Sequence, residues 1–199
     1  MSDRPLTFLS ITGSLRRGSY NRALLAACRD LAPPSLVIEI VELDGLPLYN
    51  ADLEAEGDPS EVERLKRAVA SADGLLIATP EYNHGVPAVT KNAVDWLSRP
   101  PRGSALDGKP VALVGASPGM TGTARGQSQL RQSFVFTNSP CLLQPEILVA
   151  RAREKFDDDG RLTDPQTRQH LGKFLAAFET WIRRLGGGAG AASGDGPRP

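Results

Sequence analysis

The fold is decided near the start of the chain by the stretch Leu6-Thr7-Phe8-Leu9-Ser10-Ile11-Thr12-Gly13-Ser14-Leu15-Arg16-Arg17-Gly18-Ser19-Tyr20-Asn21. Its opening run, up to Thr12, is apolar, rich in Leu and Ile and too short for a helix, which is typical of a buried strand. The glycine- and serine-rich part that follows leads into apolar residues at helical spacing. These are Leu24, Leu25, Cys28 and Leu31. The stretch therefore predicts a strand, a polar turn and a helix.

The same pattern recurs along the chain. Four further apolar runs are short and rich in Leu, Ile and Val, and segments with helical periodicity separate them. Alternation of this kind is typical of a parallel sheet that is covered by helices on both faces. The sequence therefore predicts an α/β fold with five strands, at Leu6–Thr12, Leu36–Glu42, Gly74–Thr79, Pro110–Gly115 and Cys141–Val149.

Two helices have explicit start signals. Asp58-Pro59-Ser60-Glu61 offers an N-cap aspartate, a proline at the first helical position and a carboxylate in the first turn. Thr163-Asp164-Pro165-Gln166 repeats this design before the last helix, which we expect to end at Gly186 because glycine commonly terminates helices. Residues 1–185 are thus predicted to form a single domain. Residues 186–199, which contain no bulky apolar side chain, are predicted to be a disordered tail.

Composition limits the classes of function. The 199 residues are 40% hydrophobic and carry 23 basic and 23 acidic side chains, so the basic excess of a nucleic-acid binder is missing. No apolar stretch approaches the ~18 residues of a membrane span or resembles a secretory leader. Cys28 and Cys141 lie in separate apolar stretches, which predicts free thiols and no disulfide. We expect a cytoplasmic protein with no membrane or nucleic-acid partner and no metal site.

Ligands of an open parallel sheet bind beyond the carboxyl ends of its strands, so the segments after the first, third and fourth strands form the candidate site. We call them the first loop (Gly13–Asn21), the second loop (Thr79–Pro87) and the third loop (Ala116–Thr123). The first loop combines glycines, hydroxyl and amide side chains, an arginine and a helix start, a set that suits a phosphate dianion. An ordinary strand-to-helix turn is the alternative interpretation.

The second and third loops suit a flat ligand. The second loop is stiffened by proline near both ends and bears Tyr82, Asn83 and His84, which can present polar groups to the edge of a heterocycle. The third loop is glycine-rich, so backbone can approach a planar ligand closely. Three roles stay open. Tyr82 either stacks on the ligand or packs against its loop, Glu81 either contacts a neighbouring subunit or faces water, and His84 donates either a proton or only a hydrogen bond.

The glycine spacing argues against two common nucleotide sites. Gly13 and Gly18 have the spacing of a P-loop, but Ser19 and Tyr20 follow where Lys and Ser/Thr would bind a triphosphate and its magnesium. The dinucleotide fingerprint G-x-G-x-x-G is also missing. A single terminal phosphate therefore fits the first loop better than a triphosphate or a pyrophosphate.

These motifs resemble those of the NAD(P)H-dependent FMN reductase family, in particular its quinone, chromate and azo-dye reductase branch. Gly13–Asn21 looks like the family's G-S-x-R-x-x-S-x-N phosphate loop, and Pro80–Pro87 with Lys91–Leu97 looks like its flavin-loop helix. The resemblance covers nearly Leu6 to Leu185. It implies a flavodoxin-like three-layer α/β/α fold with a five-stranded parallel sheet in the order 2-1-3-4-5.

The resemblance also implies which residues bind FMN. Four side chains of the first loop hold the phosphate, namely Ser14, Arg16, Ser19 and Asn21. Residues 80–84 of the second loop line the isoalloxazine and ribityl groups, and Ser117 with Gly119 of the third loop flank the ring. The full implied set is Ser14, Leu15, Arg16, Ser19, Tyr20, Asn21, Pro80, Glu81, Tyr82, Asn83, His84, Ser117 and Gly119.

An activity follows from the same resemblance. Bound FMN would pass electrons from NAD(P)H to a quinone, chromate, an azo compound or free flavin, and no side chain would act as a catalytic nucleophile. We predict a ping-pong cycle in which donor and acceptor use the same flavin face in turn. Gly122–Gln127 resembles a segment that family members use at a subunit interface, which implies a homodimer or homotetramer. The alternative, a flavodoxin-type electron carrier, is disfavoured by the zero net charge.

Overall fold

Strands and helices alternate along residues 4–189, which are the residues that the computed structural model describes. The strands are β1 (Leu6–Thr12), β2 (Leu36–Val41), β3 (Gly74–Ala78), β4 (Val111–Ala116) and β5 (Ile147–Val149). The helices are α1 (Tyr20–Leu31), α2 (Ala51–Glu56), α3 (Ser60–Ser71), α4 (Ala88–Leu97), α5 (Ala124–Phe136) and α6 (Pro165–Ala189), and a 3-10 turn at Ala152–Glu154 follows β5. The short helix α2 has no counterpart among the predicted elements.

All five strands form one parallel sheet in the order β2-β1-β3-β4-β5. Phe8 in β1 is in register with Ile38 of β2 on one side and with Gly74 of β3 on the other. This confirms the predicted flavodoxin-like order. The chain leaves β1 towards β2 on one side and later towards β3 on the other, and the crevice at such a switch point is where ligands bind.

Each face of the sheet carries its own apolar core. On one face Phe8 packs against Phe178 of α6, with ring centroids 4.3 Å apart. On the other face Leu9 belongs to a core that contains residues of α3, α4 and α5. Trp96 on α4 is fully buried. Burying a large apolar side chain is worth about 1.5–3 kcal/mol, so the two cores hold the helices on both sides of the sheet.

β5 is much shorter than predicted. It begins at Ile147, whereas the apolar pattern placed its start at Cys141. Cys141 makes only an isolated bridge to Val111 of β4. Pro145 then interrupts the segment, because proline has no backbone N–H with which to continue a ladder.

The two predicted helix starts differ in how they are capped. Asp164 accepts a hydrogen bond from the backbone N–H of Thr167 at 2.8 Å, so the predicted N-cap of α6 is confirmed. Asp58 does not cap α3, because its carboxylate pairs with Lys66 Nζ at 2.6 Å and the helix begins without a side-chain cap. The predicted cap at Asp58 is therefore wrong, although the helix itself is present.

The end of α6 also departs from the prediction. The helix runs through Gly186 to Ala189, so Gly186 does not end it. Glycine inside a helix is less favourable than alanine by about 1 kcal/mol, an amount that a helix with a large buried face tolerates. Residues 190–199 of the predicted disordered tail lie outside the described residues. Across residues 4–189, no helix is both long enough and apolar enough to cross a bilayer.

Candidate functional site

The three loops meet at the carboxyl edge of the sheet, beside the switch point between β1 and β3. They border one open cleft. Most of the predicted residues line this cleft, together with Ala116 and Pro118. The lining consists of Ser14, Arg16, Ser19, Tyr20, Asn21, Pro80, Glu81, Tyr82, Ala116, Ser117 and Pro118.

The first loop gathers donors and a cation at the start of α1. Ser19 is the N-cap of this helix, and its Oγ accepts hydrogen bonds from the N–H groups of Asn21 and Arg22 at 3.3 and 3.4 Å. Ser14 is buried, and its Oγ accepts from the N–H of Arg16 at 3.4 Å. The exposed Arg16 guanidinium donates to a backbone carbonyl of the same loop at 2.9 Å. A helix N-terminus, two hydroxyls and a cation form a donor set that suits a phosphate dianion.

Asn21 connects two loops. Its Nδ2 donates to the Ala116 carbonyl at 3.0 Å, and its Oδ1 accepts from the Ala116 N–H at 2.9 Å. Ala116 is the last residue of β4, where the third loop begins. The buried Asn21 side chain therefore holds the first loop against the third, and a direct contact with phosphate stays a prediction.

Glycine is required at two points where the loops approach one another. A Cβ atom on Gly13 would overlap the hydroxyl of Thr90 in α4 and would lie 3.1 Å from Cδ of Pro80. A Cβ atom on Gly115 would overlap the hydroxyl of Thr123. The first loop can therefore pass directly beneath the second because glycine leaves the space free.

The middle of the second loop is a two-residue hairpin. Tyr82 and Gly85 exchange two backbone hydrogen bonds at 3.1 and 3.0 Å, and Asn83 and His84 between them have φ angles of 52° and 63°. Positive φ at both central residues is typical of a type I′ turn and is unfavourable for histidine, so the surroundings must enforce it. Asn83 and His84 are exposed and lie outside the lining of the cleft.

Glu81 is used within the chain as a helix cap. Its side chain is only 7% exposed, and its Oε2 accepts hydrogen bonds from the N–H groups of Arg125 and Gly126 at 2.9 and 3.0 Å. Burial acts to raise the pKa of Glu81, but the hydrogen bonds from Gly126 and Arg125 outweigh it and hold the pKa below its usual value. Glu81 therefore does not face water, and its charge is paired inside the chain.

The third loop is fixed by the segment that follows β5. The N–H of Ser117 donates to the Val149 carbonyl at 2.9 Å, and the Ser117 carbonyl accepts from the N–H of Ala152 at 3.0 Å. Ser117 Oγ accepts from the N–H of Gly119 at 3.1 Å, and the Gly119 carbonyl accepts from the N–H of Arg151 at 2.9 Å. These bonds make the third loop a fixed wall of the cleft, with Gly119 outside the lining.

One large apolar side chain from each loop is exposed. Leu15 is 52% exposed, Tyr82 is 52% exposed and Met120 is 68% exposed. We call these three residues the apolar rim. Tyr82 lines the cleft, whereas Leu15 and Met120 are placed near it only by their positions on the first and third loops. Leu15 therefore belongs to the rim and not to the lining, whereas Tyr82 belongs to both.

Three residues outside the predicted set also shape the site. Ala116 and Pro118 line the cleft, and both neighbour the predicted Ser117, so the third loop already pointed to them. Gln129 of α5 accepts a hydrogen bond from the N–H of Val86 at 2.7 Å. No local pattern marks Gln129, because its partner lies 43 residues away in the sequence.

The first loop suits a phosphate, and the second and third loops border the space beside it. This arrangement is typical of a mononucleotide-binding α/β protein, and the residues present fit FMN. Residues 6–154 match the model of the NADPH-dependent FMN reductase family, so the chain belongs to this family. Membership confirms the predicted class of enzyme, an oxidoreductase that works with FMN and NAD(P)H.

Individual relatives agree with this assignment. The chain is 47% identical over 187 residues to an NAD(P)H-dependent FMN reductase of Pseudomonas aeruginosa, covering 94% of this chain and 100% of the relative. It is 44% identical over 173 residues to a quinone reductase of Pseudomonas putida, covering 87% and 92%. The structure of a flavoenzyme NAD(P)H:(acceptor) oxidoreductase from Paracoccus denitrificans matches with a TM-score of 0.83 at 36% identity, over 90% of this chain and 98% of that chain. The predicted family and fold are confirmed.

Proposed function

We propose that this protein passes electrons from NAD(P)H through FMN to a quinone. The observation that carries the proposal is the set of donors in the first loop, which lies in the same cleft as the half-exposed Tyr82 ring. A neutral, flat acceptor suits that ring better than the chromate dianion does. The names of relatives support the choice, including a 2-hydroxy-1,4-benzoquinone reductase of Burkholderia at 40% identity.

In this proposal the side chains of the protein bind FMN and orient it. The phosphate would be bound by the charge of Arg16, the hydroxyls of Ser14 and Ser19 and the N-terminus of α1. The second and third loops would hold the ring, and the exposed apolar side chains of the three loops would limit access of water to it. When bound, FMN supplies the ability to accept a hydride and to donate electrons.

We infer a ping-pong order for the reaction. FMN held in the cleft would leave nicotinamide and quinone the same exposed face to react at, on the side where the exposed Tyr82 ring lies. One face serves two reactants only in turn, and the first product has to leave before the second reactant binds. Azo compounds, chromate and free flavin reach the same face, and we expect them to react less efficiently than a quinone.

We also infer a homodimer or homotetramer in the cytoplasm. Val135 and Phe136 at the end of α5 are 78% and 79% exposed, which is unusual for large apolar side chains and supports a contact with a second copy. Cys28 and Cys141 are free thiols, in keeping with a reducing compartment.

The test is steady-state turnover of the purified, FMN-loaded protein. NADPH and NADH are each paired with 1,4-benzoquinone, chromate, an azo dye and riboflavin. We expect quinone-dependent oxidation of the nicotinamide, with parallel lines in double-reciprocal plots. A bound yellow flavin without turnover of any pair would favour the electron carrier, and converging lines would reject the ping-pong order.

A further inference from the structure

The N-terminus of α5 is capped by a residue of the second loop. Thr123 stands at the N-cap position but makes no side-chain cap hydrogen bond. Glu81 takes its place and accepts from the N–H groups of Arg125 and Gly126. Caps normally come from the residue directly before a helix. Here the cap spans 45 residues of sequence, so it ties the second loop to α5.

Gln129, one turn further along α5, holds the other end of the second loop. Its Oε1 accepts from the N–H of Val86 at 2.7 Å. Between the two attachments the loop and the helix are in close contact, since a Cβ on Gly126 would lie 3.3 Å from the Gly85 carbonyl oxygen and 3.4 Å from that of Pro80. The strained hairpin is therefore held from both sides by one helix.

Arg125 extends the connection to the third loop. Its Nη1 lies 3.3 Å from Glu81 Oε1 and donates to Thr121 Oγ1 at 3.2 Å. The third loop also runs directly into α5. The second and third loops are thus both attached to the N-terminus of α5. The Glu81 carboxylate is the group that joins the two attachments.

We propose that Glu81 is a positioning residue for the flavin. The Glu81 carboxylate fixes the separation of the second and third loops and thereby the position of the isoalloxazine ring. The inference rests on the proposed function, because it takes the ring to lie between these loops. The carboxylate already accepts hydrogen bonds from the first turn of α5, so it acts by holding the loops and not on the reacting atoms. A merely structural cap would change only the unfolding transition, whereas a positioning residue changes how the folded protein binds flavin.

The experiment titrates FMN into the apoprotein and follows flavin fluorescence and visible circular dichroism at a temperature where every variant is folded. We expect Glu81→Ala to weaken FMN binding about tenfold, the size of one lost charge-assisted hydrogen bond, and to alter the dichroism of the bound flavin. Glu81→Gln keeps an oxygen that accepts from both N–H groups, so its affinity should stay within about threefold of wild type.

A second pair of variants probes the other attachment. Gln129→Ala should weaken FMN binding in the same direction, and Gln129→Glu, which keeps the acceptor, should restore it. Glu63→Ala, which removes an exposed carboxylate of α3, is the control and should leave both readouts unchanged.

The outcomes separate the two proposals. A wild-type protein that does not bind FMN would overturn the proposed function. A wild type that binds FMN, with equal affinity and unchanged dichroism in Glu81→Ala, would overturn the positioning role alone. If Glu81→Ala does not fold, Glu81→Asp and Gln129→Ala replace it, and unchanged binding in both has the same meaning.

Discussion

Asn21 and Ala116 are joined by two hydrogen bonds, one to the carbonyl and one to the N–H of the same residue, across 95 positions of the sequence. The amide thus completes the ladder of β4 at its end, where no further strand residue follows. Because both residues are buried, water cannot replace the amide if it is removed. The closure of the cleft between the first and third loops depends on this pair.

Asn21→Ala should therefore destabilise the protein strongly. It leaves a buried N–H and a buried carbonyl without partners, and we expect a loss of roughly 2–4 kcal/mol in the free energy of unfolding, measured by urea titration with circular dichroism. Asn138→Gly is the control, because it removes an exposed amide at a position with φ of 55° that glycine adopts readily. Similar losses in both variants would contradict the role given to Asn21.

Removal of the cation in the first loop should weaken FMN binding. Arg16→Ala loses a charge-assisted contact that is typically worth about 1.5–3 kcal/mol, so the dissociation constant should rise by about tenfold to a hundredfold. The measurement is quenching of flavin fluorescence. Arg17→Ala removes the neighbouring exposed charge and should change the constant by less than about threefold. Equal effects of the two substitutions would remove Arg16 from the site.

The contact between the first loop and α4 can be tested by a steric double mutant. Gly13→Ala places a methyl group against the Thr90 hydroxyl and should destabilise the protein by about 1–3 kcal/mol. Thr90→Ala in the same chain removes the clashing oxygen, so it should recover most of that loss in thermal unfolding. Additive losses from the two substitutions would show that the clash is not the cause.

Glu81 should also make stability depend on pH in a defined direction. Its pKa is lower in the folded chain than in the unfolded one, so the ionised form stabilises the fold at neutral pH. This contribution is lost as the pH falls from about 4.3, the ordinary value for glutamate, through the folded pKa. The stability gap between wild type and Glu81→Gln, measured by urea unfolding, should therefore shrink in acid. A gap that is constant with pH, or that widens in acid, contradicts the assignment.

Much of the fold could be predicted from the sequence because the inner strands are buried on both faces. The run Leu6–Thr12 reads as a continuous apolar segment for that reason. Leu142 and Leu143 give the same local pattern, but the N–H of Leu142 bonds to the Val111 carbonyl without continuing the ladder and Leu143 is 64% exposed. The start of β5 could not be predicted, because pairing depends on the partner strand.

The sequence predicted which loops form the candidate site, but it did not predict which groups their side chains contact. Phosphate requires similar donors in any protein, so the composition of the first loop already indicated its role. Asn21 and Glu81 look like ligand residues in the sequence, yet both bind backbone groups of distant segments. Residue type alone cannot separate a polar group that serves a ligand from one that serves the chain, since both meet the same need for hydrogen bonds.

The N–H groups in the first turn of α5 donate to the carboxylate of Glu81, which follows β3. These hydrogen bonds can form only after the chain around β3 has folded. An isolated helix of this length is marginal in water, so we expect α5 to consolidate late in folding. Truncation of Glu81 should then accelerate unfolding and leave the refolding rate almost unchanged, which corresponds to a low φ-value.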